Sequence, residues 1–325
     1  MKPETEMPAS ATYSADSFFG RLKDFMDIIY QPGLHFAFAA FWFLSLQGGF
    51  VLLSKENEPW VFSSGTLMGV ITLFLVLFYL RAVDEVKDFE YDKQYNPDRP
   101  LVAGAVSFKD VYLYWLLAFL IIPLINAAYD QWLAIFIVAD MLYALLLIKL
   151  EKWLPLMDRN MFFNLVVTYP VSIALSFYTL LLSGLVNDLV VDGYSLLLIG
   201  TYILAFLHFE IVRKNLWPVM AEPGEKFYAS DIGPIPAALF GFGCGVAAVT
   251  GVILLWSPWT ASGVGGITGW LPLLALLPAI KALVRFLGNR QKRFNPRKFA
   301  VLYLVVFYST NLLNALAVNS WGIAL

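Results

Sequence analysis

The sequence predicts an all-α integral membrane protein, a bundle of nine transmembrane helices around a central cavity. Of its 325 residues, 59% are hydrophobic and only 14% are charged, whereas soluble domains carry about 25% charged residues. Mean hydropathy is +0.69. Nine apolar segments are long enough to cross a bilayer as helices, and polar or turn-forming stretches separate them.

Two different segments precede the first span. Residues 1–16 are rich in Ser, Thr, Pro and Glu; we expect them to be disordered, and they lack the apolar core of a cleavable signal peptide. Residues 17–30 alternate apolar and charged positions with helical spacing, which predicts an amphipathic helix lying on the membrane surface. Residues 31–325 are then one nine-helix domain.

The spans follow from the lengths of the apolar segments. Their expected limits are 33–54, 60–83, 105–127, 131–149, 160–183, 192–212, 234–256, 267–287 and 299–319. Turn signals such as Asn187–Asp188 and Ser257–Pro258 separate neighbouring spans.

Lysine and arginine positions predict the orientation of the bundle. With nine spans, 21 of the 22 lysines and arginines fall on the N-terminal side, and only Lys55 falls on the other. Because positive residues favour the cytoplasmic side, we expect the N-terminus and the polar loops after spans two and six to be cytoplasmic.

Composition excludes several classes of function. The net charge of −2 gives no basis for binding nucleic acid. A single cysteine, Cys244, excludes an internal disulfide framework, and its run of small neighbours favours a packing role. His35 and His208 are the only histidines, so a histidine-based metal site is not expected.

The stretch after span two is the strongest functional signal. Six carboxylates fall within fifteen positions, namely Asp84, Glu85, Asp88, Glu90, Asp92 and Asp98. A carboxylate near the bilayer core costs about 2.5–3.5 kcal/mol on insertion scales, and folding alone gives no reason for this cost. We therefore expect a ligand at this place.

Helical spacing would group four of these carboxylates. If the helix continues, Asp84, Glu85, Asp88 and Asp92 share one stripe, whereas Glu90, Lys87 and Lys93 lie off it and are expected to be solvated. Such close like charges repel without a cation, and Mg²⁺ binds a few carboxylates together with substrate phosphates. The stripe predicts a Mg²⁺-bridged diphosphate on a lipid-like substrate; the alternative is a solvated juxtamembrane loop.

A second polar cluster follows span six, on the same side of the membrane. Glu210, Arg213 and Lys214 occupy one helix face, where they could hold a second metal ion or bind diphosphate directly. The alternative is an ordinary ion pair in a positively charged loop. Further polar residues follow at Glu222, Glu225, Lys226, Tyr228, Ser230 and Asp231. Two such loops above one bundle could hold a diphosphate from both sides.

The acidic stretch resembles the first signature of the UbiA-type intramembrane prenyltransferases, N-D-x-x-D-x-x-x-D followed by R-P-L and a glycine. In this chain the motif reads DEVKDFEYD over residues 84–92, followed by Arg99-Pro100-Leu101 and Gly104. Asp84 stands where the family has Asn and Glu85 where it has its first Asp, whereas Asp88 and Asp92 match directly. The second, Asp-rich signature is replaced by Glu210-Ile-Val-Arg213-Lys214.

The resemblance implies Mg²⁺-dependent ionisation of a prenyl diphosphate and transfer of the prenyl group to a hydrophobic or aromatic acceptor within the membrane. It implies that Asp84, Glu85, Asp88 and Asp92 bind the metal. Because the second signature departs from the family pattern, we hypothesise from the residues themselves that Arg213 and Lys214 neutralise the leaving group and that Glu210 orients them or holds a second ion. Four loop residues could cap the diphosphate: Arg99, Lys226, Tyr228 and Ser230. Relatives that cyclise the diphosphate make a terpene cyclase the alternative, and a transporter of an anionic amphiphile is a more distant one.

Polar residues inside the spans could shape the acceptor end of the cavity. Asp140 in span four and Asn164 in span five are the candidates, with interhelical hydrogen bonds as the alternative role. For Asn164, and for Asn311 in span nine, the sequence favours the hydrogen bond. Aromatic residues make up 16% of the chain, and rings facing the cavity could stabilise an allylic cation, but the sequence does not identify them.

Overall fold

The structure is a computed structural model that describes residues 17–54, 59–222, 224–289 and 291–324. Within these residues, nine helical segments are long and apolar enough to cross a membrane, which confirms the predicted number. They are Pro32–Leu53, Ser64–Lys87, Phe108–Ala127, Gln131–Trp153, Met161–Asn187, Gly193–Arg213, Pro234–Trp256, Gly265–Gly288 and Arg297–Val318. The chain is therefore an integral membrane protein, and the prediction for residues 1–16 lies outside the described residues.

Fifteen α-helices make up these spans and their connections in the described part of the chain. In order they are α1 Phe18–Phe25, α2 Pro32–Leu53, α3 Ser64–Lys87, α4 Phe89–Tyr95, α5 Phe108–Ala127, α6 Gln131–Trp153, α7 Pro155–Arg159, α8 Met161–Thr168, α9 Pro170–Asn187, α10 Gly193–Arg213, α11 Ala229–Ile232, α12 Pro234–Trp256, α13 Gly265–Thr268, α14 Leu276–Gly288 and α15 Arg297–Val318. Short 3₁₀ turns at Pro218–Met220 and Leu271–Ala275 complete the connections.

The N-terminal helix packs against the bundle. Ser17 caps α1 by accepting a hydrogen bond from the Gly20 N–H at 3.1 Å, and a π-helical turn, Met26–Tyr30, follows. Phe25 and Tyr30 are fully buried, and Arg21 pairs with Asp110 of α5 at 2.8 Å. The apolar side of this helix thus meets α5 and its neighbours, while its position relative to the membrane surface stays a prediction.

Two spans are not continuous helices, and a third ends at a local break in the helix. The second span ends at Lys87, and Asp88, with φ −88° and ψ 4°, separates it from α4. Pro170 lacks a backbone N–H and divides the fifth span into α8 and α9. The eighth span begins irregularly, with α13 and a 3₁₀ turn containing Pro272 before α14.

A short parallel strand pair closes the end of the bundle away from the polar loops. β1, Trp60–Ser63, pairs with β2, Trp321–Ala324, near the C-terminus. The Trp60 indole is fully buried and donates to Gln47 Oε1 at 3.2 Å, and the Val61 N–H donates to Asn187 Oδ1 at 2.9 Å. These bonds join β1 to α2 and α9, and the strand pair joins it to the segment after α15; none of these contacts was predicted.

Candidate functional site

An inner cavity of about 290 Å³ lies among α3, α6, α8, α9 and α10. Its polar residues include Asp84, Lys87, Asn164, Glu210, Arg213, Lys214 and Tyr228. Leu80, Val83, Leu147 and Val171 belong to its apolar lining. The cavity thus combines both polar clusters with an apolar interior, which is the arrangement expected for an amphiphilic anion.

A larger vestibule of about 780 Å³ adjoins the inner cavity. Lys87, Met161, Asn164 and Lys214 line both spaces and mark where they meet. The vestibule is otherwise strongly charged, with Asp88, Glu90, Glu151, Lys152, Asp158, Arg159, Glu225 and Lys226 in its lining. A charged headgroup can therefore reach the inner cavity through a charged entrance.

Lys87 lies at the junction of the two cavities, so its predicted solvation is wrong. Its Nζ is 3.4 Å from Asp84, 3.7 Å from Asp88 and 3.9 Å from Glu151, and only 22% of the side chain is exposed. The helical angle placed Lys87 off the carboxylate stripe, but its long side chain reaches back to carboxylates at i−3 and i+1. Glu151 comes from the end of α6, a position that the sequence did not single out.

The other two stripe carboxylates, Glu85 and Asp92, lie away from the cavity. Arg99 Nη1 is 2.5 Å from Glu85 Oε1 and 3.0 Å from Asp92 Oδ2, and Arg81 also pairs with Glu85 at 3.3 Å. Their side chains are only 1% and 3% exposed. The interruption of the helix at Asp88 removes Asp92 from the expected stripe, so the structure brings only Asp84 and Asp88 to the cavities.

Arg99 thus stabilises the first polar loop through ion pairs with Glu85 and Asp92, and it does not belong to the lining of either cavity. The loop turns back at Gly104, whose φ of +78° lies in the left-handed region that favours glycine. This turn gives a physical reason for the glycine after Arg99-Pro100-Leu101.

The second cluster forms a compact ion-pair group at the end of α10. Glu210 Oε2 accepts from Arg213 Nε at 2.7 Å and lies 2.5 Å from its Nη2, and Lys214 Nζ is 3.1 Å from Glu210 Oε1. Arg213 also stacks over the Phe209 ring, 5.3 Å from its centroid. Glu210 therefore orients two cations that line the inner cavity, and both keep N–H groups available to an anion.

Lys226 connects the second polar loop to α6 and α7. Its Nζ lies 2.5 Å from Asp158 and 3.9 Å from Glu151, the carboxylate that also approaches Lys87. Tyr228 is buried at the inner cavity, where burial raises the pKa of its hydroxyl. Ser230 is exposed instead, and its hydroxyl donates to the Phe227 carbonyl at 2.6 Å. Of these loop residues, Lys226 and Tyr228 face the two cavities.

The polar residues of the spans divide between cavity and packing. Asn164 lines both cavities and donates to the Met157 carbonyl at 3.1 Å. Asp140 is buried on α6 one turn beyond Ala144 of the cavity lining, and its Oδ2 has no hydrogen-bond partner in the described residues. Asn311 accepts from Trp256 Nε1 at 2.9 Å, which confirms the interhelical hydrogen bond favoured by the sequence.

The structure also identifies the rings at the cavity. Phe206 and Tyr169 both line the inner cavity, with their ring centroids 5.9 Å apart. Phe206 continues to Trp42 at 6.1 Å and to Phe209 at 5.5 Å. A column of rings therefore runs from beneath Arg213 into the bundle.

The carboxylates at the cavities can bind a divalent ion, but they do not form a complete metal site by themselves. Within the described ranges, no group of three or more His, Cys, Asp or Glu side chains is placed to hold one metal ion. Desolvation raises the pKa of Asp88, more strongly than Lys87 lowers it. Mg²⁺ commonly uses one or two carboxylates plus substrate phosphates, so the chemistry of Asp84 and Asp88 fits an ion that arrives with a diphosphate.

Two of the solved structures that resemble this chain cover most of its length. One is a UbiA homolog from Aeropyrum pernix K1, with a TM-score of 0.58 and 14% identity over 85% of this chain and 98% of that chain. The chain has the UbiA fold. The second is a digeranylgeranylglyceryl phosphate synthase, with a TM-score of 0.58 and 16% identity over 91% of this chain and 98% of that chain. No protein-family model and no curated protein matches the sequence.

The UbiA fold confirms, at the level of architecture, the resemblance seen in the first signature. Both polar clusters of this UbiA-fold protein contribute to one inner cavity, as the sequence predicted from their positions after spans two and six. Lys87 and Glu151 were missed, because a cation inside a carboxylate motif and a lone acid at a helix end are usually solvated surface residues.

Proposed function

We propose that this protein is a Mg²⁺-dependent intramembrane prenyltransferase, which ionises a prenyl diphosphate and transfers the prenyl group to a hydrophobic or aromatic acceptor. One observation carries the proposal: Asp84 shares an apolar-lined cavity with Arg213 and Lys214. A diphosphate requires cations and metal-binding carboxylates, and a prenyl chain requires apolar walls. A synthase of the same fold supports this assignment.

Asp84 and Asp88 are the proposed metal ligands. Mg²⁺ held by these carboxylates would supply positive charge that stabilises the diphosphate leaving group. Lys87 leaves its carboxylate partners to contact the diphosphate, since the same carboxylates cannot neutralise both cations fully. Glu85 and Asp92 keep the first loop in place through Arg99 and have no direct role in this scheme.

The cations of α10 stabilise the leaving group. Arg213 and Lys214 donate hydrogen bonds to the diphosphate while Glu210 holds their orientation. The bond between prenyl C1 and the diphosphate oxygen breaks, and its electron pair leaves with the diphosphate. Phe206 and Tyr169 present ring faces to the allylic cation. The acceptor supplies the electron pair of the new bond and loses a proton.

The proposal is tested by mass spectrometry of the products formed by the purified protein. The reaction contains Mg²⁺ and prenyl diphosphates of graded length, with and without a membrane extract as the source of acceptor. We expect released diphosphate and a prenylated product that requires the extract. Asp88→Ala should remain folded and lose turnover, and Lys109→Gln, at an exposed cation that lines neither cavity, should retain it.

Other outcomes would change the assignment. A cyclic hydrocarbon or alcohol formed without extract would identify a terpene cyclase. Intact prenyl diphosphate in every reaction would contradict both enzymatic functions and leave the transporter as the remaining alternative. Turnover by Asp88→Ala near the wild-type rate would remove Asp88 from the metal site.

A further inference from the structure

The C-terminal part of the chain has an unusual charge composition. Its last 94 residues contain seven lysines and arginines and no carboxylate. These cations are Lys281, Arg285, Arg290, Lys292, Arg293, Arg297 and Lys298. All 24 aspartates and glutamates precede them, together with the remaining 15 lysines and arginines. The net charge of −2 therefore conceals a strongly basic region.

Six of these seven cations are described by the structure, and all six are exposed. None of the six lies within 4.0 Å of a carboxylate among the described residues, whereas most cations of the other polar loops have such a partner. On the same side of the membrane, the loops after spans two and six contain paired cations such as Arg99 and Lys226. Lys149, Lys152 and Arg159, in and beside the loop after span four, resemble the basic region in having no carboxylate within 4.0 Å among the described residues.

The basic region lies at the same end of the bundle as the candidate active site. Trp217, in the loop after α10, donates through Nε1 to the Phe286 carbonyl of α14 at 3.3 Å. Lys292 lies over the Trp217 ring, 5.1 Å from its centroid. The loop between α14 and α15 is thus fixed against the second polar loop, at the end of two spanning segments.

Two of the cations are held side by side. Lys281 Nζ and Arg285 Cζ lie 5.8 and 5.6 Å from the centroid of the Phe299 ring, so one ring of α15 supports both. Beside them, an open cavity of about 420 Å³ is lined by Val284, Arg285, Gly288, Asn289 and Phe294. Arginine and amide donors therefore border a space with apolar walls.

We propose that this cavity, here named the basic cavity, binds the headgroup of an anionic phospholipid. Arg285 and Asn289 donate to phosphate oxygens, and Lys281 adds positive charge at the boundary between water and lipid. The acyl chains lie along the lipid-facing side of α14, where Val284 is 63% and Leu287 44% exposed. A soluble anion would use the cations but not this adjoining apolar surface, so the observations favour a lipid.

The proposal is tested with protein in vesicles that contain equal amounts of phosphatidylglycerol and phosphatidylcholine with the same acyl chains. Native mass spectrometry after extraction counts the lipids retained by wild type and by the double variant Lys281→Gln/Arg285→Gln. The matched control is Lys109→Gln/Lys149→Gln, which removes two exposed cations elsewhere. All three proteins are compared by thermal unfolding to confirm that they are folded.

We expect wild type and control to retain phosphatidylglycerol selectively. The affinity of Lys281→Gln/Arg285→Gln for this lipid should fall about 30-fold, since each cation near the surface contributes to anionic lipid binding. Equal retention of both lipids by wild type, or an equal loss in the control variant, would overturn the proposal. Displacement by inorganic phosphate would identify a general anion site, and displacement by prenyl diphosphate alone would identify a second substrate site; either result refutes a phospholipid site.

Discussion

Arg99 determines which carboxylates of the acidic stretch remain available to a ligand. It pairs with Glu85 and Asp92, the two side chains of the predicted stripe that are nearly inaccessible. Asp84 and Asp88 are 43% and 40% exposed and border the cavities. A motif of equivalent acids is therefore divided into a structural pair and a ligand-binding pair by one arginine fourteen residues beyond Glu85.

This division predicts opposite consequences for two substitutions. Glu85→Ala leaves Arg99 and Arg81 without their shared partner, so it should lower the free energy of unfolding by about 1.5–3 kcal/mol. Its kcat per folded molecule should change little, whereas Asp88→Ala should lose turnover and keep its stability. Thermal unfolding and single-turnover assays on both variants distinguish the roles. A stable Glu85→Ala protein without activity would make Glu85 a metal ligand.

Arg213 gives a second prediction at the same scale. If it binds the diphosphate, Arg213→Ala should raise KM for the prenyl diphosphate about 10- to 100-fold, because a charged hydrogen bond contributes about 1.5–3 kcal/mol. Arg213→Lys should recover part of this loss, since it keeps the charge without the bidentate geometry. Steady-state kinetics at saturating Mg²⁺ measure the effect. Unchanged KM and kcat in the alanine variant would exclude Arg213 from the site.

Asp88 predicts how metal dependence varies with pH. Burial raises the pKa of Asp88, so ionising this carboxylate lowers the stability of the folded protein. This cost is absent at low pH, where the group is protonated, and is fully present once the pH has risen through the raised pKa. Mg²⁺ requires the ionised carboxylate, so its apparent affinity should weaken as the pH falls through the raised pKa. Thermal stabilisation by Mg²⁺ plus diphosphate measures this affinity. Asp88→Asn should lack the pH-dependent step, and an identical profile in that variant would assign the titration to another group.

At the scale of the elements, the sequence predicted the positions of the spanning helices better than the breaks in the helices and the short strands. Long apolar segments identify helices because only a helix satisfies its backbone within lipid. For example, the expected span 131–149 corresponds to Gln131–Trp153. The break at Asp88 was missed because its residues have ordinary helical preferences. β1 and β2 were missed because each has four residues and their pairing joins segments some 260 positions apart.

The strand pair predicts a separable contribution to stability. A chain ending at Ser320 lacks β2, so it loses the backbone pairing with β1 and exposes the region around Trp60. We expect a lower Tm but an unchanged KM for prenyl diphosphate, because α3 runs about 36 Å from β1 to the acidic loop. Differential scanning calorimetry and steady-state kinetics measure the two effects. A KM change as large as that of Arg213→Ala would show that the two ends are coupled.

At the scale of the whole molecule, the sequence predicted that the polar loops after spans two and six would meet above one bundle. Parity of the spans was sufficient for this, since loops after even-numbered spans share one side. The contacts within the site were not predictable, because they depend on long side chains. Lys87 reaches Glu151 of α6, and Lys226 reaches both Glu151 and Asp158.

Orientation can be tested with the cysteine content of the chain. The single cysteine, Cys244, is buried in α12 and should resist a membrane-impermeant thiol reagent. Lys93→Cys, in the first polar loop, should react only in inside-out vesicles if that loop is cytoplasmic. Trp259→Cys, in the connection after α12, should react only in right-side-out vesicles. The reverse pattern would place the candidate active site on the opposite side of the membrane.

The position of Lys87 has a consequence for the proposed reaction. Its ammonium group lies within 3.9 Å of three carboxylates. In the protein without substrate, this lysine therefore already neutralises part of their negative charge. Lys87 would compete with a free divalent ion for these carboxylates, whereas a diphosphate bound together with the ion would give the lysine a new anionic partner. Substrate and metal should therefore enter together, and pyrophosphate should depart with its metal as the lysine returns. Because Lys87 is part of the chain, it should disfavour inhibition by free Mg²⁺ when no substrate is bound.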